Sequence, residues 1–299
     1  MAGSGRGAAA VSLRAALAAG PVLLDGGLAT ELEAQGHDLS SALWSARLLI
    51  DDPAAVVAAH LAFFEAGARV ATTASYQAPV ELIGSSVRLA RQARDSTGRE
   101  DRWIAGSVGP YGASLADGSE YHGHYDLSVA ELRNWHRPRI DRLAEAGADV
   151  LAVETVPCLD EVEALLAELA GTGLPAWLSI TCAGDRTRAG EPAAEAFAMA
   201  GDVDEIFAVG VSCTDPRDAT SLVRVAATAS GKPVVVYPNS GERWDPINHC
   251  WVGAPAFKIS HVQQWIDDGA RLIGGCCRVG PAHIAALAEH LRCAAPPPH

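Results

Sequence analysis

Three of the seven cysteines are placed to act together. Cys213 closes the segment Gly210-Val-Ser-Cys-Thr, and Cys276 and Cys277 stand side by side in Gly274-Gly-Cys-Cys-Arg. Neighbouring residues on an extended strand point to opposite faces, so two adjacent thiols reach one point only where a strand ends and turns. The glycine pair makes that turn easy. Three thiolates from neighbouring strand ends would form a tetrahedral zinc site with one position open, the arrangement of a catalytic zinc. The spacing also admits a vicinal disulfide between Cys276 and Cys277, or three cysteines that share strand ends by coincidence. Cys158, Cys182, Cys250 and Cys293 stand singly and read as small buried hydrophobes.

Other polar residues gather at the ends of apolar runs: Asp25, Thr73 to Tyr76, Glu154, Thr181 and Asn239. Gly109, Pro110 and Asn239 are also what a turn requires. His122, His124 and His136 lack the H-E-x-x-H spacing of a helical zinc site and read as surface or satisfied core residues. No G-x-S-x-G elbow and no phosphate-binding Gly-Lys-Ser/Thr loop occurs, which removes the commonest hydrolase and nucleotide readings.

The elements that must position these groups show a repeating rhythm. Apolar runs fall at Val22 to Gly27, Val70 to Ser75, Ile104 to Pro110, Val150 to Val156, Ala176 to Cys182, Ala208 to Cys213, Val234 to Asn239 and Leu272 to Cys276. Continuous runs of this length suit strands buried on both faces. Between them lie amphipathic segments, including Asp51 to Gly67, Leu127 to Gly147, Asp160 to Gly171 and Asp215 to Gly231, which open at a capping residue and stop at glycine. About eight such alternations predict an α/β fold, a single-domain (β/α)8 TIM barrel whose reactive groups lie at the C-terminal strand ends. An open doubly wound sheet is the competing architecture, but Asp25-Gly-Gly-Leu-Ala-Thr lacks the G-x-G-x-x-G dinucleotide loop. The expected division is a leader helix over residues 1–20, the barrel over 21–293 and a disordered tail over 294–299.

Bulk composition narrows the partners. The 299 residues are 49% hydrophobic and 20% charged, which is globular composition, and the formal net charge of −13 disfavours a nucleic-acid partner. The arginines between Arg88 and Arg102 are interrupted by Asp95, Glu100 and Asp101, as on a solvated helix face. No apolar run reaches the ~20 residues of a membrane span, and the cysteines are too sparse for a disulfide scaffold. Reduced thiols and a cytoplasmic location, away from membranes, are expected.

Several segments together resemble the homocysteine S-methyltransferase family: Asp25-Gly-Gly-Leu-Ala-Thr-Glu-Leu, Thr73-Ala-Ser-Tyr-Gln, Gly106-Ser-Val-Gly-Pro-Tyr-Gly-Ala, Glu154-Thr-Val-Pro, Gly210-Val-Ser-Cys, Val236-Tyr-Pro-Asn-Ser-Gly-Glu and Gly274-Gly-Cys-Cys-Arg. The likeness runs from about Leu23 to Leu291 and is greatest to the bacterial and plant branch that uses S-methylmethionine. It implies a (β/α)8 barrel, zinc held by Cys213, Cys276 and Cys277, and homocysteine as fourth ligand through its sulfur. It further implies that Asp25 and Glu154 hold the substrate ammonium, with Gly26 and Thr73 nearby. S-methylmethionine, with S-adenosylmethionine second, is the donor it implies. A betaine-type donor, and a barrel that binds zinc or homocysteine without turnover, are the alternatives. Two features depart from the family pattern: Ser212 stands where asparagine is usual, and Gln77 runs almost directly into Pro79 and the next helix.

Overall fold

The computed structural model describes residues 11–39, 44–245 and 250–294. Eight parallel strands form its centre: β1 (Val22–Leu23), β2 (Val70–Thr72), β3 (Trp103–Val108), β4 (Val150–Val156), β5 (Ala176–Ile180), β6 (Ile206–Ser212), β7 (Val234–Tyr237) and β8 (Ala270–Ile273). Each pairs in parallel with the next from β2 to β8, and β8 pairs with β1. A parallel bridge between Leu24 and Val70 joins β1 to β2 and closes the ring. The fold is therefore the (β/α)8 barrel, not the open sheet.

Each strand leads into helix, and the helix ends follow local chemistry. Asp52 and Asp215 cap the helices Pro53–Glu65 and Pro216–Ser230, each with proline at the first turn, where its missing N–H removes nothing. Ser128 and Glu131 form a reciprocal capping box on Val129–Glu145. The glycines expected to end helices do so in the left-handed region, at φ +110° for Gly67, +79° for Gly147 and +67° for Gly231.

Strand alternation sorts the core into two layers. Leu23, Ile104, Leu151, Val153 and Leu178 point outward beneath the helices, in the larger apolar cluster. Val22, Leu24, Val70, Trp103, Val150, Ala152, Trp177, Val235 and Leu272 point inward and fill the barrel. Leu13, Ala16 and Leu17 cover the N-terminal end of this inner cluster, and the Trp103 indole donates to Val11 O at 3.0 Å. Leu13–Ala16 is the helical part of the expected leader among the described residues; residues 1–10 and 295–299 lie outside them. The last helix, Pro281–Ala294, runs one residue past the expected barrel boundary. No helix among the described residues is long and apolar enough to cross a membrane.

The inner face changes character along its length. Past Trp103, Val150, Trp177 and Val235, the same period-2 rows continue as Ser107, Glu154, Ser179 and Tyr237. An apolar floor therefore gives way to a buried polar layer under the C-terminal mouth. The Tyr237 hydroxyl receives the Trp177 indole N–H at 3.1 Å and lies 2.6 Å from Ser179 Oγ, which donates to Ser212 Oγ at 3.1 Å. Ser212 in turn accepts from Thr155 N at 2.8 Å. A serine at this position is fully absorbed into the layer.

Candidate active site

Cys213 follows β6 with φ +47°, a left-handed conformation that a non-glycine residue adopts only under constraint, and its N–H donates to Tyr237 O. Cys276 and Cys277 lie in the loop after β8. Cys276 N donates to Pro238 O at 2.8 Å, Cys277 N to Asn239 Oδ1 at 3.1 Å, and Ser240 N to Cys277 O at 3.0 Å. Asn239 is thus more than a turn former, since its amide holds the Cys277 backbone. Arg278 pairs with Glu242 at 3.1 Å and ties the two loops together further out.

The loop after β1 closes the arrangement from the other side, and its glycines are required by contact. A Cβ on Gly26 would lie 2.1 Å from Val279 O, and one on Gly27 would lie 2.6 Å from Cys276 O. Bare backbone is what lets the Asp25 loop press against the cysteine loop. Gly26 acts through this packing.

The three cysteine sulfurs lie within 4.8 Å of one another. Cys213 and Cys276 are joined as a disulfide, with Cys277 Sγ 4.0 Å from Cys276 Sγ, so the oxidised pair is not the vicinal one. Desolvation, followed by the charge of Glu33 and then of Glu120 and Glu154, pushes the Cys277 thiol up to about 12. Thiolates gathered here need a cation beside them. Once reduced, the trio is an all-sulfur donor set of the kind that selects zinc among the common divalent ions, with three ligands and one position to spare. Cys158 and Cys182 are buried as expected, whereas Cys293 is exposed at the end of the last helix, which presents it outward; the Cys250 side chain lies outside the described residues.

Two carboxylates face the same mouth. Asp25, 3% exposed, accepts from Thr72 N at 2.7 Å and Thr72 Oγ1 at 3.0 Å. Glu154, 8% exposed, accepts from Ser107 Oγ at 2.5 Å. Burial pushes Asp25 up to about 8, with the nearby Glu154 charge adding to it, and pushes Glu154 up to about 7 against hydrogen bonds from Ser107 and Tyr237. Neither has an ion-pair partner among the described residues. Two desolvated carboxyls without a cation form a socket for one.

The structure brings Thr72 rather than Thr73 to Asp25. Thr72 shares the inward row of Val70, while the Thr73 hydroxyl bonds Ser75 Oγ at 2.7 Å and accepts from Ser107 N at 3.0 Å. The expected strand β2 also ends at Thr72, because the Asp25 carboxylate takes the Thr72 N–H that a neighbouring strand would otherwise receive. His122 and His124 are exposed; His136 is buried with Nε2 2.8 Å from Glu161 Oε1.

Above the mouth lies the turn Ser119–Tyr121, which carries Glu120 and Tyr121. Arg188 reaches it from the antiparallel ribbon Cys182–Ala183/Arg186–Thr187 after β5, its guanidinium 5.5 Å over the Tyr121 ring. Sequence reasoning missed Arg188, Thr72 and the support by Ser107 and Tyr237. The inward rows of β2, β3 and β7 were a usable signal for the last three.

A closed barrel with thiols, carboxylates and an aromatic residue gathered at its C-terminal mouth has the layout of an enzyme scaffold, and its three sulfurs could hold a metal ion. The comparisons define it further. A family profile described as Homocysteine S-methyltransferase matches residues 22–291. The chain is 42% identical to Homocysteine S-methyltransferase YbgG of Bacillus subtilis, over 91% of this chain and 94% of that protein. It is 41% identical to Selenocysteine Se-methyltransferase of Brassica oleracea var. italica, over 91% of this chain and 89% of that one. The metallated form of the Homocysteine Methyltransferase MmuM from Escherichia coli superposes with a TM-score of 0.81 at 40% identity, covering 90% of this chain and 96% of the other. The chain belongs to the homocysteine S-methyltransferase family and is a methyltransferase.

Proposed function

We propose that this enzyme transfers a methyl group from a sulfonium donor, S-methylmethionine first and S-adenosylmethionine second, to homocysteine, with Cys213, Cys276 and Cys277 holding zinc. One juxtaposition carries the reading: three sulfurs within 4.8 Å of one another, beside two buried carboxylates that lack a cation. Zinc, when bound, favours the deprotonated form of a coordinating thiol, whereas a free thiol of pKa near ~8.5 is only a few per cent ionised at neutral pH. Asp25 and Glu154 receive the substrate ammonium. Thr72 fixes the first carboxylate, and Ser107 with Tyr237 fixes the second. These residues orient homocysteine so that its sulfur meets the donor methyl in line.

The thiol proton of homocysteine is released to solvent as the thiolate forms on binding, and the displacement that follows balances without further proton transfer. A sulfur–methyl bond forms, the methyl–sulfonium bond breaks with its electron pair returning to the donor sulfur, and a neutral thioether leaves. No side chain is required as general base at the methyl group. The reduced state needed at Cys213 and Cys276 accords with a cytoplasmic location.

The donor ranks by kcat/KM at fixed homocysteine, which compares transition-state stabilisation directly. S-methylmethionine is expected first, S-adenosylmethionine second and betaine last. Betaine as best donor would overturn the donor assignment and leave the thiol site standing; turnover with none of the three would favour a barrel that binds without catalysis.

A further inference from the structure

Two opposite charges lie above the mouth, and the reaction as described leaves both unused. Glu120 is 9% exposed, and its Oε2 is buried without a hydrogen-bond partner. No arginine, lysine or histidine among the described residues forms an ion pair with it. A buried carboxylate in this condition is costly unless something arrives to satisfy it. The turn that carries it is firmly held: Asp117 Oδ1 accepts from Ser119 N at 3.0 Å and Ser119 Oγ at 2.5 Å. From below, Gly112 packs so closely that a Cβ there would lie 2.5 Å from Glu120 N. The backbone that carries Glu120 is therefore fixed in place.

Arg188 approaches the same turn, half-buried, with Nε donating to Thr181 Oγ1 at 3.2 Å and no carboxylate within ion-pair distance among the described residues. Tyr121, next in the chain to Glu120, is 43% exposed, with the Arg188 guanidinium over its ring. Thr181, which accepts from Arg188, donates in turn to Cys213 O at 3.2 Å, which places this corner beside the thiol cluster and not on a remote rim. Gln77, at the same end of the barrel, is already committed through Nε2 to Ala113 O at 2.8 Å.

A carboxylate with one oxygen unsatisfied and a guanidinium without an ion pair, both beside the same exposed tyrosine, match a ligand that carries both charges on one carbon. Homocysteine is such a ligand, but Asp25 and Glu154 already provide for its ammonium deeper in the barrel. We infer that Glu120 and Arg188 bind the ammonium and carboxylate of the donor's own α-amino-acid group, with Tyr121 facing its sulfonium, so that the enzyme selects amino-acid sulfonium donors. This rests on the methyl-transfer reading above and adds the residues that set donor specificity. A donor with a carboxylate but no ammonium engages Arg188 and leaves Glu120 buried and alone, which is how a site built for a hydrogen-bonding group rejects an analogue lacking it.

The test compares S-methylmethionine with its desamino analogue, 4-(dimethylsulfonio)butyrate, at saturating homocysteine, using the zinc-loaded full chain. The wild type is expected to favour S-methylmethionine by at least about 30-fold in kcat/KM, the effect of removing one partner of a buried charged contact. Glu120→Gln should lower kcat/KM for S-methylmethionine by a similar factor, leave the analogue no slower and narrow the gap between the two donors, and leave the KM for homocysteine unchanged. Arg188→Gln should weaken both donors, with circular dichroism checking that the fold is kept. Equilibrium binding of S-methylmethionine, followed by calorimetry, should weaken in step in both variants. An equal loss for both donors in Glu120→Gln, or a raised KM for homocysteine, would overturn the assignment. So would unaltered use of S-methylmethionine. Failure of the wild type to use S-methylmethionine at all would remove the functional reading and this inference together.

Discussion

Replacing Cys277 by alanine is expected to remove the metal and to lower methionine formation by about 1,000-fold or more, since a metal that activates its nucleophile contributes several kcal/mol to such a reaction. Cys213→Ala and Cys276→Ala should behave alike. The three sulfurs act as one donor set, and two thiolates in a mouth already charged by Glu33, Glu120 and Glu154 cannot hold the ion in the same way. The barrel should survive. Its closure rests on parallel pairing from β1 through β8 and on the inner cluster around Trp103 and Trp177, none of which needs a metal. Metal content, far-ultraviolet circular dichroism and turnover on the same preparations separate these effects. A Cys277→Ala enzyme with full metal occupancy and normal turnover would refute the assignment.

Glu154→Gln and Asp25→Asn are expected to raise the KM for homocysteine by about 30-fold or more, the effect of about 2 kcal/mol lost from a buried charged contact. The KM for the donor should move little. Both amides keep an oxygen that can accept from Ser107 or Thr72, so the loss is of charge and not of shape. The same substitutions should make the substrate-free protein more stable. A carboxyl that holds its proton to about pH 8 in the fold, as Asp25 does, or to about 7, as Glu154 does, binds it more tightly folded than unfolded. Its contribution to stability is complete below about pH 4 and is lost as pH rises through 7 and 8. The wild-type melting temperature should therefore fall over that window more steeply than those of the amide variants, and homocysteine should restore it by supplying the missing cation. Unchanged homocysteine dependence in Glu154→Gln would count against the ammonium socket.

The barrel was legible because parallel strands buried on both faces are written as continuous apolar runs, and because glycine at a helix end has one conformational reason to be there. Strand ends were less so. The runs around Asp25 and Thr73 continue as apolar or small residues past the point where the Asp25 carboxylate takes over the Thr72 N–H, and only the folded ring shows that substitution. The cysteine trio was visible because its members fall after strands, where side chains converge whatever the exact register. Thr72 carried no signal of its own, because its meeting with Asp25 depends on the inward row of β2, and period-2 alternation makes a single residue of register decisive. Glu120 and Arg188 come from separate loops, after β3 and after β5, and no spacing within either loop encodes the approach of Arg188 to Tyr121. Asn239 looked like a turn residue because its bond to Cys277 N crosses between loops.

The central claim is tested most directly by the fate of homocysteine when the zinc-loaded enzyme is supplied with methyl-labelled S-methylmethionine as sole donor. A methionine is expected from each reactant for every homocysteine consumed, with the transferred label on the sulfur that homocysteine brought. Homocysteine left unconsumed, with zinc bound and both substrates present, would contradict the account.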